Sequence, residues 1–406
     1  MSQVASNHTC NGLHRPLLNE VFIVAGARTP IGSFQSVLAP LSATQLGAAA
    51  IKGALDQAKV PKDQVEEVIM GQVCQAGSGQ APARQAAKFA GLPDSTICTT
   101  INKVCASGLK AVLMAAQEIQ TGQCDLIVAG GMESMSNIPY NLKRGPTPYG
   151  GINMADGIIA DGLTDVYYNI HMGDCAEHVA KKFGITREQQ DDHAIASYKN
   201  SATAWEEKLF EREVIPISVP QKKGQPDCVV VEDEEYKKVD FEKLRKINTP
   251  FLKDGTVTAA NAASLNDGAA ALVLASAKAV SEHNLKPLAR VLGYADGATD
   301  PIEFPVAPSV AIPKLLERTG VKKDDVALWE INEAFSVVPL ANQKILGLDA
   351  KKVNVHGGAV SLGHPLGMSG ARVLIHLVHV LKPGEKGVAS ACNGGGGASA
   401  ILFEKL

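Results

Sequence analysis

The sequence has no apolar run of the roughly 18–20 residues that a membrane-spanning helix requires. It also has no basic tract, and 39 lysines and arginines against 42 acidic residues leave a formal net charge of −3. This balance gives no reason to expect nucleic acid or a membrane as a partner. The 406 residues are more than one ordinary core holds, so two or three globular domains are expected.

Cysteine pairs with metal-binding or redox spacing are missing as well. None of the eight cysteines stands in a CxxC pair, which argues against a zinc knuckle or a thioredoxin-type site. A disulfide scaffold is not expected at this length, so free thiols in a reducing compartment are predicted. A lone cysteine is most often a small core residue. That interpretation is adopted for Cys10, Cys74, Cys98, Cys124, Cys175 and Cys228.

The first twenty residues lack the apolar core of about 7–15 residues that defines a secretory signal. They contain one arginine and no acidic residue before Glu20. This composition fits the remnant of an organelle import sequence and fits a disordered tail equally well.

An internal repeat organises most of the remaining chain. Residues 50–73 and 311–334 align at a constant offset of 261, and each copy has the pattern of an amphipathic helix, a turn and an apolar strand. Further on, Ser107-Gly108 and Ser369-Gly370 each precede an apolar helical pattern, now at an offset of 262. This alternation predicts an α/β fold made of two similar halves.

Residues 140–261 fit neither copy and are rich in charge, glycine and proline. We call this stretch the inserted segment and expect it to cover a binding site, as large insertions in α/β scaffolds commonly do.

Small and reactive residues concentrate in four blocks. These are NKVCASG (102–108), WEINEAF (329–335), HGGAVSLGHPLGMSGAR (356–372) and ASACNGGGGAS (389–399). The repeat offset places Cys105 opposite the loop that contains His364. If the halves pack with pseudo-twofold symmetry, a thiol and an imidazole meet near the axis, the pairing that nucleophilic cysteine catalysis requires. The imidazole and the helix that begins after Cys105 are both expected to favour the thiolate.

Cys392 ends an apolar strand pattern and precedes four glycines. Exposed N–H groups of such a turn can stabilise an oxyanion, and a second thiol can move a proton. Plainer interpretations stay open on spacing alone: the glycines could form a linker, and Asn332 could cap a helix.

Taken together and in this order, the four blocks resemble the thiolase family, and the similarity runs from Val21 to Leu406. The resemblance implies the thiolase fold, two similar α/β halves forming a layered αβαβα core with an inserted loop domain. The implied divisions are a tail (1–20), an N-terminal half (21–139 and 262–287), an inserted CoA-binding domain (140–261) and a C-terminal half (288–406).

The implied activity is reversible Claisen condensation of two acetyl-CoA, or thiolysis of acetoacetyl-CoA and its 2-methyl derivative, without a prosthetic group. Cys105 would carry the acetyl group, and His364 would activate it. His364 and a water held by Asn332 would form one oxyanion site, and the N–H groups of Cys105 and Gly394 the second. Cys392 would exchange the α-carbon proton.

Binding positions follow from the same resemblance. The positions implied for substrate and CoA are His171, Met172, Tyr198, Lys238, Val239, Asp240, Lys243 and Phe304. Those implied for a potassium ion are Tyr198, Ala259, Ala260, Ala262 and Val360. Ala263 departs from the family, which has a pantetheine-contacting serine there, so that contact is not expected. A homotetramer in the mitochondrion is implied, with the cytoplasm as the alternative compartment.

The same residues bear on four functions other than acetoacetyl-CoA thiolysis. A degradative 3-ketoacyl-CoA thiolase would use the same chemistry on longer chains. A ketoacyl synthase would have histidines or lysine where Cys392 and Asn332 stand. A non-catalytic protein that binds acyl-CoA or lipid would have lost the reactive residues. A Rossmann dehydrogenase is disfavoured because no GxGxxG follows an N-terminal strand.

Overall fold

A computed structural model describes residues 18–222 and 224–406. Cys10 and almost all of the predicted tail lie outside these residues. The strands, in chain order, are β1 (Val21–Arg28), β2 (Gly32–Ser33), β3 (Glu67–Gly71), β4 (Ile97–Ile101), β5 (Leu126–Ser134), β6 (Tyr140–Asn141), β7 (Ala155–Asp156), β8 (Thr164–Asp165), β9 (Ile170–His171), β10 (Ile217–Val219), β11 (Cys228–Val230), β12 (Asn266–Ser276), β13 (Ala289–Ala298), β14 (Val326–Ile331), β15 (Lys386–Asn393) and β16 (Gly397–Lys405). The α-helices are α1 (Ala43–Ala58), α2 (Pro82–Phe89), α3 (Ser107–Thr121), α4 (Met172–Phe183), α5 (Arg187–Glu206), α6 (Phe241–Leu244), α7 (Ala277–Glu282), α8 (Pro308–Thr319), α9 (Val337–Leu346), α10 (Ala359–Leu362) and α11 (Leu366–Val380).

The predicted repeat is confirmed in the sheet. The strand order is β14-β15-β16-β13-β1-β12-β5-β3-β4. Counted outward from the central β1–β13 joint, β1, β12, β5 and β3 mirror β13, β16, β15 and β14. The pairs β3–β5 and β14–β15 are both parallel. The joint itself is short, with Phe22 opposite Arg290 and Ile23 opposite Ala289.

The helices form the expected layers, because successive residues of each strand face opposite sides of the sheet. In the N-terminal half, Leu272 and Leu274 face a central core with α3 and α11, while Val273 faces an outer core with α1 and α2. In the C-terminal half, Phe403 faces the same central core, and Leu402 faces an outer core with α8 and α9. The order of layers is therefore αβαβα, as predicted.

Close contact between the central layers depends on glycine. A Cβ on Gly131 of β5 would lie 1.9 Å from the carbonyl oxygen of Gly367 in α11. A Cβ on Gly108 of α3 would lie 2.6 Å from the same oxygen. Real Cβ atoms do not approach a carbonyl oxygen so closely. Residues 108 and 131 must therefore be glycines for α11 to pack at the centre of the molecule.

The inserted segment contains helices α4, α5 and α6 and three two-stranded sheets, β6–β7, β8–β9 and β10–β11. Buried ion pairs fasten it to β1, where Arg28 bonds Glu213 at 2.6 Å and Asp233 at 2.7 Å.

The cysteines of the described chain are all free thiols, as expected. The prediction that the lone cysteines lie in the core is wrong for Cys228, which is exposed on the short edge strand β11, and only partly right for Cys98. Among the described helices, none is long and apolar enough to cross a membrane.

Candidate active site

Cys105 lies in the turn between β4 and α3 and is 7% exposed. The residue before it, Val104, has a φ of +47°, an unusual backbone conformation for a β-branched side chain. α3 begins at Ser107, so the thiol lies next to the N-terminus of a central helix.

His364 lies in the loop before α11, and its N–H donates to Asn266 Oδ1 at 2.8 Å. Its Nδ1 is 2.5 Å from the Ser369 hydroxyl, which donates its proton to the Pro365 carbonyl at 2.9 Å. The hydroxyl must therefore accept a proton from Nδ1, which leaves the lone pair of the neutral ring on Nε2. Nε2 is buried and has no hydrogen-bond partner within the described chain.

The Cys105 thiol and the His364 imidazole are both neutral at pH 7. Burial, and to a lesser extent the charge of Arg372, lower the pKa of His364 to about 4. Burial raises the pKa of Cys105 to about 11, and the N–H groups of Gly394 and of Cys105 itself oppose this shift. The stabilisation of the thiolate expected from nearby donors is therefore outweighed by the loss of water, and the thiol stays protonated.

Cys392 lies on β15 and is fully buried. Burial raises the pKa of its thiol well above the ordinary value, and the neighbouring Cys105 raises it further. Gly394 begins the glycine turn between β15 and β16. The second thiol and the Gly394 N–H therefore approach Cys105 from the C-terminal half.

Asn332 follows β14 and is 0% exposed, and its own N–H donates to the Ser390 carbonyl at 2.9 Å. Neither the oxygen nor the nitrogen of its side-chain amide has a partner in the part of the chain that the structure describes. Unpaired buried amides are rare, and this one marks a place suited to a bound water or substrate atom.

A cavity of about 340 Å³ is lined by Cys105 and His364 together with residues of the inserted segment, whereas Cys392, Asn332 and Gly394 do not line it. Its predicted site residues are Cys105, His171, Met172, Ala259, Ala262, Phe304 and His364. The rest of its wall is mostly apolar, including Leu163, Phe251 and Phe335. It can exclude water from a reaction at the thiol and hold an extended, largely neutral ligand.

His171 is a neutral donor in this wall. Its Nδ1 accepts the Gly173 N–H at 3.0 Å, so the ring proton is on Nε2. Burial lowers the pKa of His171, and the ring stacks on Phe251 with centroids 4.8 Å apart.

Five predicted CoA positions do not line the cavity. These are Tyr198, Lys238, Val239, Asp240 and Lys243. The Lys238 ammonium bonds the Ser33 hydroxyl, and Lys243 pairs with Asp240 at 2.9 Å on the surface. Of the predicted potassium positions, Tyr198, Ala260 and Val360 lie in one small cluster with Val239.

The sequence did not reveal Ser369 and Glu133 as site residues. Ser369 is equivalent to Ser107 in the repeat, and this equivalence was the feature of the sequence that could have indicated it. Glu133 is a fully buried carboxylate that accepts the N–H groups of Val73, Cys74 and Gly367 at 2.9–3.2 Å. Burial raises its pKa to about 7. Its signal was an acidic residue inside an otherwise apolar strand pattern.

Comparison with known proteins identifies the family. Residues 21–278 match the model of the thiolase N-terminal domain, and residues 285–405 match that of the thiolase C-terminal domain. The chain belongs to the thiolase family, as its fold and the resemblance of its four blocks predicted.

Individual relatives are similar over nearly the whole chain. Acetyl-CoA acetyltransferase, mitochondrial, from Mus musculus is 61% identical over 97% of this chain and 92% of its own length. Acat5 thiolase from Ascaris suum, solved in complex with coenzyme A, is 49% identical with a TM-score of 0.91 over 95% of this chain and all of its own. Human mitochondrial 3-ketoacyl-CoA thiolase is 38% identical with a TM-score of 0.92, over 96% of this chain and all of its own.

Proposed function

We propose that the protein is an acetyl-CoA acetyltransferase of the mitochondrion. It joins two acetyl-CoA molecules into acetoacetyl-CoA and free CoA, and it catalyses the reverse thiolysis. The observation that carries this proposal is the meeting of the Cys105 thiol and the unpartnered Nε2 of His364 in one water-excluding cavity. The proposed acyltransferase activity and the proposed compartment are those in the name of the 61% identical relative, acetyl-CoA acetyltransferase, mitochondrial.

In the thiolysis direction, Nε2 of His364 takes the Cys105 proton while the sulfur attacks C3 of acetoacetyl-CoA. The C2–C3 bond then breaks, which leaves an acetyl group on Cys105 and the enolate of acetyl-CoA. Cys392 donates its proton to the enolate carbon, giving acetyl-CoA. A new CoA thiol attacks the acetyl-cysteine and passes its proton to Cys392, and the released Cys105 sulfur recovers a proton from His364.

Two oxyanions need stabilisation in these steps. We assign the oxygen of the tetrahedral intermediate to the N–H groups of Cys105 and Gly394, because the tetrahedral carbon is bonded to the Cys105 sulfur and both N–H groups lower the pKa of that thiol. The thioester oxygen of the enolate is assigned to His364, then protonated, and to a water held by the side-chain amide of Asn332.

The inserted segment is proposed as the CoA-binding domain between the halves 21–139 with 262–287 and 288–406. Tyr198, Val239 and Asp240 are proposed beside the CoA moiety. The side chains of Lys238 and Lys243 are 50% and 79% exposed, which leaves both ammonium groups accessible to CoA phosphates. A higher KM for acetyl-CoA with an unchanged kcat is expected for Lys243→Glu.

A potassium ion is proposed at Tyr198, with carbonyl groups of Ala259, Ala260, Ala262 and Val360. The pKa of the buried Tyr198 is raised to about 12, first by burial and then by the carboxylates of Glu235 and Glu333. These two carboxylates give the region around Tyr198 a negative electrostatic potential. Such a field suits a cation. Activity should rise when potassium replaces sodium at equal ionic strength, and equal rates would remove this assignment.

A homotetramer is proposed as the assembled form. Large apolar side chains at the start of the inserted segment are exposed and suited to a subunit interface. They are Tyr140, Leu142, Tyr149, Ile152 and Met154. Sedimentation velocity should give four times the chain mass of 42.6 kDa, and a monomer would contradict the proposal.

The decisive experiment is acetyl transfer to the protein. After incubation with acetoacetyl-CoA and an acid quench, peptide mass spectrometry should find an acetyl group on Cys105 that disappears when free CoA is added. Cys105→Ser should form no such thioester adduct, while Cys228→Ser, a change on an exposed strand, should behave as wild type. An adduct confined to Cys392, or none, would refute the assignment.

Chain length separates this proposal from a degradative 3-ketoacyl-CoA thiolase. Turnover of acetoacetyl-CoA, its 2-methyl derivative and a C16 3-ketoacyl-CoA should be compared. Preference for the C16 substrate would favour the degradative enzyme.

A further inference from the structure

The turn that carries Cys105 is held in a strained conformation. Val104 has a φ of +47°, which a β-branched residue adopts only when its surroundings impose it. The orientation of the peptide group that joins Val104 to Cys105 is therefore determined by the contacts that hold the turn. Since that peptide carries the Cys105 N–H, the same contacts fix the sulfur and this backbone donor.

Part of the restraint is local to the N-terminal half. The Lys103 N–H donates to the Ser107 hydroxyl at 2.8 Å, and this hydroxyl donates to the Val104 carbonyl at 2.6 Å. The Val104 N–H donates to Asn102 Oδ1 at 2.9 Å. These bonds define the shape of the turn but not its distance from the other half of the molecule.

The Lys103 side chain supplies that second restraint. Its ammonium donates to Asp296 Oδ1 at 2.5 Å, to the Ser399 hydroxyl at 2.8 Å and to the Ala398 carbonyl at 3.0 Å. All three N–H groups are thus used, and every acceptor belongs to β13 or β16 of the C-terminal half. Ser399 also donates to Asp296 at 2.7 Å, which closes the network.

These acceptors lie next to the other reacting groups. Ala398 is paired directly with Cys392 across β15 and β16. The turn between those strands contains Gly394, whose N–H lies near enough to Cys105 to lower the pKa of its thiol. The ammonium of Lys103 therefore connects the nucleophile turn to the strand pair that carries the second thiol and the second backbone donor.

We propose that Lys103 is a positioning residue for acyl transfer: it holds the Cys105 turn at the separation from Cys392 and Gly394 that the reaction needs. The inference rests on the proposed function. Lys103 lies outside the cavity wall and is not expected to touch the substrate. Its removal should therefore lower the rate of the chemical steps and leave substrate binding nearly unchanged, since a small misplacement of reacting groups is costly.

Lys110 provides a matched control. It pairs with the same carboxylate, through Asp296 Oδ2 at 2.7 Å, and its side chain is as little exposed, 23% against 24% for Lys103. It lies on α3, however, and has no hydrogen bond to Ala398 or Ser399. Lys103→Met and Lys110→Met each remove one ammonium from Asp296, but only the first releases the turn.

The test is a comparison of the two variants with wild type in thiolysis of acetoacetyl-CoA. Active sites are counted by the acetyl group trapped on Cys105, so that kcat refers to folded, competent sites. Lys103→Met should lower kcat at least tenfold while KM for acetoacetyl-CoA stays within threefold. Lys110→Met should keep at least half of the wild-type kcat.

Three results would overturn the inference: an unchanged kcat per competent site for Lys103→Met, an equal loss of kcat for Lys110→Met, or a loss expressed mainly in KM.

The double variant Lys103→Met/Asp296→Asn is a second check. Its kcat should be no lower than that of Lys103→Met alone if both residues act through one tether. Losses that multiply would contradict a shared tether. Absence of acetyl transfer in wild type would instead refute the proposed function.

Discussion

At the scale of single residues, the proposed active site combines two groups that are both uncharged at rest. The thiol of Cys105 and the imidazole of His364 are separated from water, and burial moves their pKa values in opposite directions, to about 11 and about 4. An ion pair is therefore not preformed. The proton must move when substrate arrives, which couples thiolate formation to attack on the carbonyl.

This state predicts the pH dependence of acetyl transfer. Between pH 5.5 and 8 the rate of acetylation of Cys105 should be nearly constant, because His364 becomes protonated only near pH 4. His364→Ala should lower the rate by about 10²–10⁴-fold and make it rise with pH throughout this range, since hydroxide must then generate the thiolate.

The measurement is single-turnover acetylation across this range in wild type, His364→Ala and His283→Ala. His283, at the end of α7, does not line the cavity, and its variant should reproduce the wild-type profile. A wild-type step near pH 6.5 would contradict the neutral, buried imidazole.

At the scale of elements, the glycines of the central layer set how close α11 comes to β5. Gly131→Ala would place a methyl group 1.9 Å from the Gly367 carbonyl. Because the obstacle is backbone on a fully buried helix, the free energy of unfolding should fall by about 3 kcal/mol, the upper range for overpacking.

Urea unfolding of Gly131→Ala and Gly145→Ala is the test. Gly145 has no atom within 4 Å of a built Cβ, so its variant should remain within about 0.5 kcal/mol of wild type. Equal midpoints for the two variants would show that α11 can move away.

Elements also show where sequence reasoning succeeded and failed. The helix–turn–strand pattern of the repeat predicted α1 with β3 and α8 with β14, because apolar periodicity records which face is buried. The same reasoning missed α5 in the inserted segment. Its buried face includes Asp191, Ser197 and Ser201, whose side chains are hydrogen-bonded, so burial there does not produce a continuous apolar stripe.

The site residues were likewise predicted only in part. The repeat offset indicated that Cys105 and His364 would meet, because equivalent positions of two packed halves approach their axis. The Lys103 tether depends on a side-chain partner 296 positions away, which spacing along one chain does not encode. The Ser369 contact with His364 spans only 5 positions, but it depends on how the two side chains are oriented in the loop before α11.

At the scale of the whole molecule, one buried charge network joins all three parts. Arg28 of β1 bonds Glu213 of the inserted segment, and Glu213 accepts His376 of α11 at 3.0 Å. Burial alone would raise the pKa of Glu213, but the charges of Arg28 and His376 lower it to about 2. A depressed carboxylate pKa stabilises the fold above the unfolded value, and this contribution is lost as the pH falls from about 4.5 towards 2.

Glu213→Gln should therefore be less stable than wild type at pH 7, by about 3 kcal/mol, because the pKa of the lost carboxylate is about 2 and Arg28 keeps only Asp233 as a charged partner. The difference should narrow below pH 4.5, because the unfolded wild-type chain then binds a proton at this carboxyl that the folded chain, with a pKa of about 2, does not bind. Thermal midpoints at pH 7, 5 and 4 test this, with the exposed Glu282→Gln as control. A gap that does not depend on pH would contradict the assigned pKa.

The burial of α11 also has a consequence for biosynthesis. Residues 366–378 are buried on every side of the helix, and β16 lies between β15 and β13 inside the sheet. Both segments leave the ribosome after nearly all the residues they pack against. Until then the apolar inner surface of the nascent polypeptide is uncovered and prone to aggregation, and folding is completed only after the last strand is available.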